Sequence, residues 1–405
     1  MAADPFVLDT TGRDIHGEGA LLRARGAMTR VELPGGVVAW SINRIDVLKR
    51  LLGDARVSKD PRRHWPVWRQ GGIPEDWPLH LWVSVRNMFT AYGDEHRRLR
   101  SLVSKAFTPR RIEALRPTVE AITAGLLDDL DAGPPRVDLR AAFAYPLPIE
   151  VVCRLIGVPD DIRPGLRRAV DLIFDTAITP AEALANRQDI YRMVSELVAL
   201  RRRQPADDVT SGLIAACDEQ ASRLSEEELV DTVILLISAG HETTVNLLDH
   251  AITALLAHPD QLRLVLAGER SWSDAVHEVL RWQAPVANLP LRYAVDDIAV
   301  NGVLIRRGEA IIASYGAAGR DPDFHGPTAD RFDITREDKT HLAFGHGAHF
   351  CLGAPLVHLE AEVALPALFA RFPDLALAVP ADRLRPVRSF ISNGHDTLPV
   401  VLRAG

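Results

Sequence analysis

His341–His358, HLAFGHGAHFCLGAPLVH, decides how the rest of this 405-residue chain is read. Phe344, Gly347, Cys351 and Gly353 stand at the spacing F-x-x-G-x-x-x-C-x-G, and the loop runs straight into an apolar helical pattern from Leu352 to about Phe372. A cysteine is thereby placed at a helix start. The first-turn backbone N–H groups are unpaired and the helix dipole adds partial positive charge, so a thiolate is stabilised twice over there and is expected to sit deprotonated as a metal ligand. Gly345, Gly347 and Gly353 have no Cβ, which lets the backbone turn sharply and pass close to a flat ligand. Pro355 falls within the first turn, where it costs little. Two plainer readings stand beside this one: a buried cysteine closing a loop, and a zinc site built from His346, His349 and Cys351. The H-x-x-H-x-C run has no obvious fourth ligand nearby, and zinc needs neither Phe344 nor Gly353.

The bulk numbers narrow the class. The chain is long enough for one large domain or two to three ordinary ones, and a 47% hydrophobic content supplies a sizeable core. Net charge is −7 with the two signs interspersed, so there is no basic footprint for nucleic acid. Cys153, Cys217 and Cys351 lie far apart, which argues against a disulfide framework and for a reducing cytoplasm. The N-terminal MAADPFVLDTTGRD has neither the basic start nor the apolar core of a signal peptide or anchor. The longest apolar run, Val233–Gly240, is too short to span a bilayer, and a soluble protein is expected.

Taken in order, Gly17–Gly26 reads as a short helix, Thr29–Ser41 as a hairpin around Pro34-Gly35-Gly36, and Ile45–Leu52 as a helix. Ser58–Thr90 is rich in Pro and Gly and holds Trp65, Trp68, Trp77 and Trp82; such a segment is either a packed loop or a lid on an apolar site. Asp94–Phe107 is expected to be helical with Asp94 as N-cap, and His96 and Arg100, at i and i+4, share a face. Helical patterns follow over Ile112–Leu130, Leu147–Ile156, Arg163–Thr176 and Ala181–Arg203. Ser225–Ala257 reads as one long helix opened by a capping box, Ser225 to Glu228, and at about 1.5 Å per residue it crosses the molecule as core. In its middle AGHETT, Ala239–Thr244, sets a glycine and an acid–alcohol pair into an apolar helix, so a local bulge is expected. Glu242 either faces solvent or is buried with a role or a partner. Trp272–Trp282 is another helix, with Glu278 and Arg281 at i, i+3, and short strands follow at Ile298–Val300, Val303–Ile305 and Ala310–Ala313. Pro366 should kink or shorten the helix after Cys351.

The cysteine loop resembles the haem-thiolate loop of the cytochrome P-450 superfamily, with every fixed position filled. The likeness spans nearly the whole chain, because H-R-R-L-R at His96–Arg100, AGHETT, Glu278-x-x-Arg281 and the loop occur in the family's order. It implies a mainly α protein with small β-sheets (α+β), residues 1–405 forming a single domain around a long central helix. Haem b is the implied cofactor, its iron held axially by Cys351, its propionates by His96, Arg100, Arg292 and His349, with Phe344 and Gly345 shaping the loop against it. Arg suits a carboxylate bidentately. By position Thr243 hydrogen-bonds dioxygen and Glu242 helps deliver protons, while His241 is assigned to packing or water contact. Glu278, Arg281 and Arg331 correspond to a buried structural cluster. Trp82, Met88 and Phe89 fall in the roof of the substrate pocket, Phe174 with Leu172 and Ile178 in its far wall, and Ala239, Val286, Ala287, Leu289 and Phe390-Ile391 elsewhere in its lining.

The implied activity is monooxygenation: insertion of one oxygen atom of O₂ into an unactivated C–H bond of a bulky apolar substrate. The chain has no plausible G-x-G-x-x-G site and no iron–sulfur cysteine cluster, so two electrons must come from outside, from NAD(P)H through a ferredoxin reductase and a ferredoxin docking on the Cys351 face. NMFTAYGDEHRRLR and LPLRYAVDDIAVNG look like soluble actinobacterial members that hydroxylate steroids or polyketide macrolactones. A steroid is favoured; macrolide tailoring by hydroxylation or epoxidation is the alternative. A non-catalytic haem sensor or carrier would leave Glu242-Thr243 without a purpose. A cytoplasmic monomer without nucleic-acid or membrane partners is expected.

Overall fold

The computed structural model describes residues 4–219 and 224–403. It is mainly helical with small sheets, as expected. The central helix, Glu226–Ala257, is opened by the capping box: the Glu228 N–H donates to Ser225 Oγ at 3.1 Å and the Ser225 N–H to Glu228 Oε2 at 2.8 Å. It has no single apolar stripe because it is buried on almost every side. Leu229–Ile237 packs into one apolar cluster with Trp65 and Phe174, and Leu247–Leu255 into a second with Phe143 and Leu359. The helix runs unbroken through Gly240, so the expected bulge does not interrupt it, although Thr243 Oγ1 does donate to the Ala239 carbonyl at 2.7 Å.

The larger sheet has six strands, in spatial order Phe6–Val7, Met28–Leu33, Val37–Ile42, Ala310–Ser314, Asn288–Ala294 and Val57–Ser58. The hairpin around Pro34–Gly36 forms as the turn residues require, with Gly35 at φ 75°. Asn288–Ala294 and Ala310–Ser314 are antiparallel, and between the pairs Leu289↔Ala313 and Arg292↔Ile311 the register shifts by one residue. Positions three apart on a strand ordinarily face opposite ways; the extra residue turns both Leu289 and Arg292 toward one cavity.

Several boundaries differ from the sequence reading. The helix holding His96 runs Gly93–Ser104 with Tyr92 as its N-cap residue, and Asp94 lies inside the first turn, paired with Arg97. Ile112–Leu130 is two helices, Pro109–Glu113 and Arg116–Ala132, because Pro117 has no N–H to continue the first ladder. Helix Ala354–Arg371 is not shortened by Pro366, since Leu365, Leu368 and Phe369 keep that turn seated in the second cluster. The Ser58–Thr90 segment contains three short helices, Pro61–His64, Pro66–Arg69 and His80–Ser84. No helix of the described residues is long and apolar enough to cross a membrane.

Candidate active site

The cysteine loop is shaped by its backbone. Gly345 and Gly347 adopt φ +71° and +70°, a region that L side chains rarely enter, and a Cβ on Gly347 would meet the Leu52 carbonyl oxygen at 2.8 Å. The Cys351 N–H donates to the Phe344 carbonyl at 2.8 Å, closing the loop beneath the sulfur. Gly353 precedes helix Ala354–Arg371, and a Cβ there would stand 3.8 Å from Cys351 Sγ. Burial pushes the Cys351 thiol up, while the backbone N–H groups of Gly353 and Ala354, then Arg100, pull it back. The helix start therefore favours the thiolate while desolvation opposes it, and a metal coordinated to the sulfur would add positive charge on the side of the thiolate. The zinc alternative fails on geometry: the metal-competent groupings among the described residues are Asp249–His250–His395 and Asp171–His241–Glu242, neither of which includes His346, His349 or Cys351.

One cavity joins this loop to the middle of the central helix. Cys351, Phe344, Gly345, His349, Arg100, Arg292 and Thr243 line it, as do Trp82, Met88, Phe89, Phe174, Ala239, Val286 and Leu289. Trp82 forms the roof, its ring edge-on to Phe89 at 6.1 Å and to Phe174 at 5.3 Å, with Nε1 donating to the Ile173 carbonyl at 3.2 Å. Trp65 and Trp77 are core: Trp65 stacks on Tyr293 at 5.2 Å and Trp77 Nε1 holds the Pro34 carbonyl at 2.7 Å. The aromatic segment is thus both a packed loop and a lid.

Basic groups gather at one side of the cavity. His96 lies behind its wall, with its ring centroid 4.1 Å from that of His349. Burial, then Arg100, brings the His96 imidazole down to about 4, and burial followed by Arg292 holds His349 far below the ordinary range. Arg100 Nη2 donates to the Phe350 carbonyl at 2.8 Å. Arg292 Nε and Nη1 and His96 Nε2 are buried without a hydrogen-bond partner among the described residues. Buried donors left unpaired are costly. A flat group with carboxylates at one edge would satisfy them, and the residues therefore fit a haem with its propionates on this side.

Some expected members lie elsewhere. Glu242 is not on the cavity wall; it is buried on the far flank of the helix, where Oε1 accepts from Arg140 Nη2 at 3.2 Å, Asn246 Nδ2 at 3.1 Å and Ser392 Oγ at 3.0 Å. Burial holds its carboxyl above the usual range against the pull of Arg140. Arg140 also reaches Asp249 at 3.3 Å, and Asp249 binds the half-buried His395, so the network runs toward the surface. His241 is fully buried, edge-on to Tyr145 at 4.4 Å, in keeping with packing. Phe390 does not line the cavity: its side chain fills the first core cluster, while its carbonyl accepts from Asn288 Nδ2 at 2.8 Å. Ala287 and Ile391 are likewise buried away from the lining, and Leu172 and Ile178 border a small separate pocket.

Below the site, Arg281 makes a bidentate pair with Glu278 at 2.7 and 2.8 Å and donates to the Gly319, Ala329 and Arg331 carbonyls. The third arginine is Arg336 rather than Arg331. Arg336 Nε comes within 3.5 Å of Glu278 Oε1, whereas Arg331 contributes its backbone and leaves its side chain exposed. Sequence reasoning also passed over Lys59 and Glu360, which line the cavity, and Arg140, which pairs with Glu242.

With this geometry in hand, similarity to known proteins decides the family. Residues 273–377 match the model of the family described as Cytochrome P450. The chain is 44% identical over 401 residues to 2-hydroxy-5-methyl-1-naphthoate 7-hydroxylase of Streptomyces carzinostaticus, covering 98% of each protein. The chain belongs to the cytochrome P450 family. Among solved structures it is similar to CYP154A1 from Streptomyces coelicolor A3(2), at 55% identity, TM-score 0.94, with 98% of this chain and 100% of that one covered. It is also similar to testosterone-bound CYP154C4 from Streptomyces sp. ATCC 11861, at 43% identity, TM-score 0.95, covering 99% and 98%. The protein is accordingly a P450 monooxygenase, its cofactor haem with the iron on a cysteine thiolate. P450 enzymes of this kind draw electrons from redox partners and act on apolar substrates.

Proposed function

We propose that this P450 hydroxylates an unactivated C–H bond of a flat, polycyclic apolar substrate, a steroid first of all. The observation that carries the reading is the wall formed by Trp82, Phe89, Phe174, Val286 and Leu289, apolar and aromatic, facing Ala239 and Thr243 across one cavity that ends at Cys351. The testosterone-bound relative supports it. Residues 1–405 work as one catalytic domain in the cytoplasm, as a monomer served by a ferredoxin and its NAD(P)H-dependent reductase.

Cys351 is assigned as the axial ligand, with Arg100, Arg292, His349 and His96 holding the propionates and Phe344 and Gly345 shaping the loop against the ring. Haem so held supplies oxygen activation and insertion of one oxygen atom. The chain's own part is to bind, exclude water and move protons. Apolar rings over the cavity keep water from the reacting carbon. Thr243 holds a hydroxyl at the cavity wall, donating to the Ala239 carbonyl. One residue away, Glu242 lies behind the wall, its carboxyl raised above the usual range by burial, in a polar network that runs from Ser392 and Arg140 through Asp249 to His395. This supports the assignment of general acid work to the Glu242-Thr243 pair.

The test is a titration of purified enzyme with a steroid, a macrolactone and a bicyclic aromatic acid, watching the Soret band for loss of water from iron. Turnover of each ligand is then followed with a ferredoxin system. A Soret shift and a hydroxylated product with the steroid are expected. Tighter binding and faster turnover of the aromatic acid would favour a second reading, to which the naphthoate hydroxylase relative points. Preference for the macrolactone would turn the assignment to polyketide tailoring.

A further inference from the structure

Lys59 follows the two-residue strand Val57–Ser58, which pairs antiparallel with Asn288–Ala294 through Val57↔Ala294 and Ser58↔Tyr293. Continued one step, that register sets Lys59 opposite Arg292, and directly opposed residues of an antiparallel pair share a face. Ser58 and Tyr293 take the other face, where Tyr293 stacks on Trp65. Lys59 and Arg292 both turn into the main cavity, 3% and 4% exposed. Lys59 Nζ has neither a hydrogen-bond partner nor an ion pair among the described residues; it lies 3.3 Å from the centroid of the Phe89 ring. A ring face offsets only part of the cost of removing an ammonium from water. Two adjacent buried cations with unpaired donors call for an anion between them.

We propose that Lys59 is a carboxylate-binding group of the haem cradle, pairing with the propionate that Arg292 holds. This rests on the assignment of Arg292 and His349 to the propionates. The propionate is the favoured carboxylate because the strand register sets Lys59 opposite Arg292, at the basic side of the cavity where that side meets the roof residue Phe89. Burial, then Arg292, drives the Lys59 amine well below its ordinary range. With the ammonium also against Phe89, one side chain ties the haem edge to the roof segment.

The experiment uses holoenzyme with Lys59→Met, Lys59→Arg and Arg292→Met, and measures haem transfer to excess apomyoglobin, the Fe(III)/Fe(II) midpoint potential, and the affinity for 1-naphthoic acid and its methyl ester. Lys59→Met is expected to release haem about tenfold faster, the factor that one charge-assisted hydrogen bond supplies. Its potential should fall because the propionate charge is less compensated. Lys59→Arg should restore both, with the acid-to-ester preference unchanged throughout. If Lys59→Met keeps the wild-type release rate and potential while Arg292→Met releases haem faster, the proposal for Lys59 is overturned and the propionate assignment stands. If neither variant changes haem release, that assignment fails as well. If Lys59→Met weakens only the acid and leaves haem release alone, the carboxylate is the ligand's own and the propionate pairing is overturned.

Discussion

The floor and the roof of the cavity are built on different physics. The floor is directional: two glycines at positive φ, the Cys351 N–H on the Phe344 carbonyl, and Arg281 spreading its guanidinium over Glu278 and three carbonyls. The roof is held by ring edges, Trp82 against Phe89 and Phe174, with a 3.2 Å bond from Trp82 Nε1 to Ile173 as a polar tie. Directional constraints admit one residue type each, whereas apolar contacts accept many side chains of similar volume. The floor can therefore stay fixed while the roof is rebuilt for another ligand.

The floor should break all at once. Cys351→Ser is expected to abolish the thiolate-type Soret band of the ferrous carbonyl complex and turnover with it; retention of that band would move the ligand elsewhere. Beneath the loop, Glu278→Ala strands Arg281 in the core and should cost about 3–5 kcal/mol in urea unfolding, as removal of one partner from a buried pair does.

The buried polar network behind the central helix gives the comparison a pH axis. Although burial pushes its carboxyl up, His395 and then Arg140 hold Asp249 down to about 2. A folded-state value below the unfolded one stabilises the protein above about pH 4, and that contribution drains away as pH falls toward 2. The loss should approach about 2 kcal/mol, and Asp249→Asn should flatten that limb of the acid-unfolding curve. The roof should respond least in stability: Trp82→Ala is expected to weaken binding of an apolar ligand by about tenfold or less while leaving the urea midpoint nearly in place. A collapse of the fold in that variant would erase the distinction between floor and roof.

The same division explains what was legible in the sequence. Cys351 and its glycines could be read because each answers a local backbone demand, and the Ser225–Glu228 box because cap and acid lie three residues apart. Arg331 and Arg336 cannot be told apart in sequence because DRFDITR offers two arginines and its irregular backbone has no period to say which side chain turns inward. Glu242 was left between two readings because Arg140 and Ser392, which settle it, are 102 and 150 residues away. Lys59 carries no local signal, since its significance comes from a strand register with Arg292. Phe390 was placed on the wall because an apolar residue in a turn does not reveal which of two apolar spaces it fills.

The extra residue between Leu289 and Arg292 sets a rule for how this pocket can evolve. Side chains before it can be exchanged freely for a new ligand, since nothing downstream changes direction. Removal of a single codon there would leave Leu289 and Arg292 two apart on a regular pleat and still on one face, whereas straightening the bulge at unchanged length would send one of them to the back of the sheet, so the wall depends on the irregularity as long as the strand keeps its length.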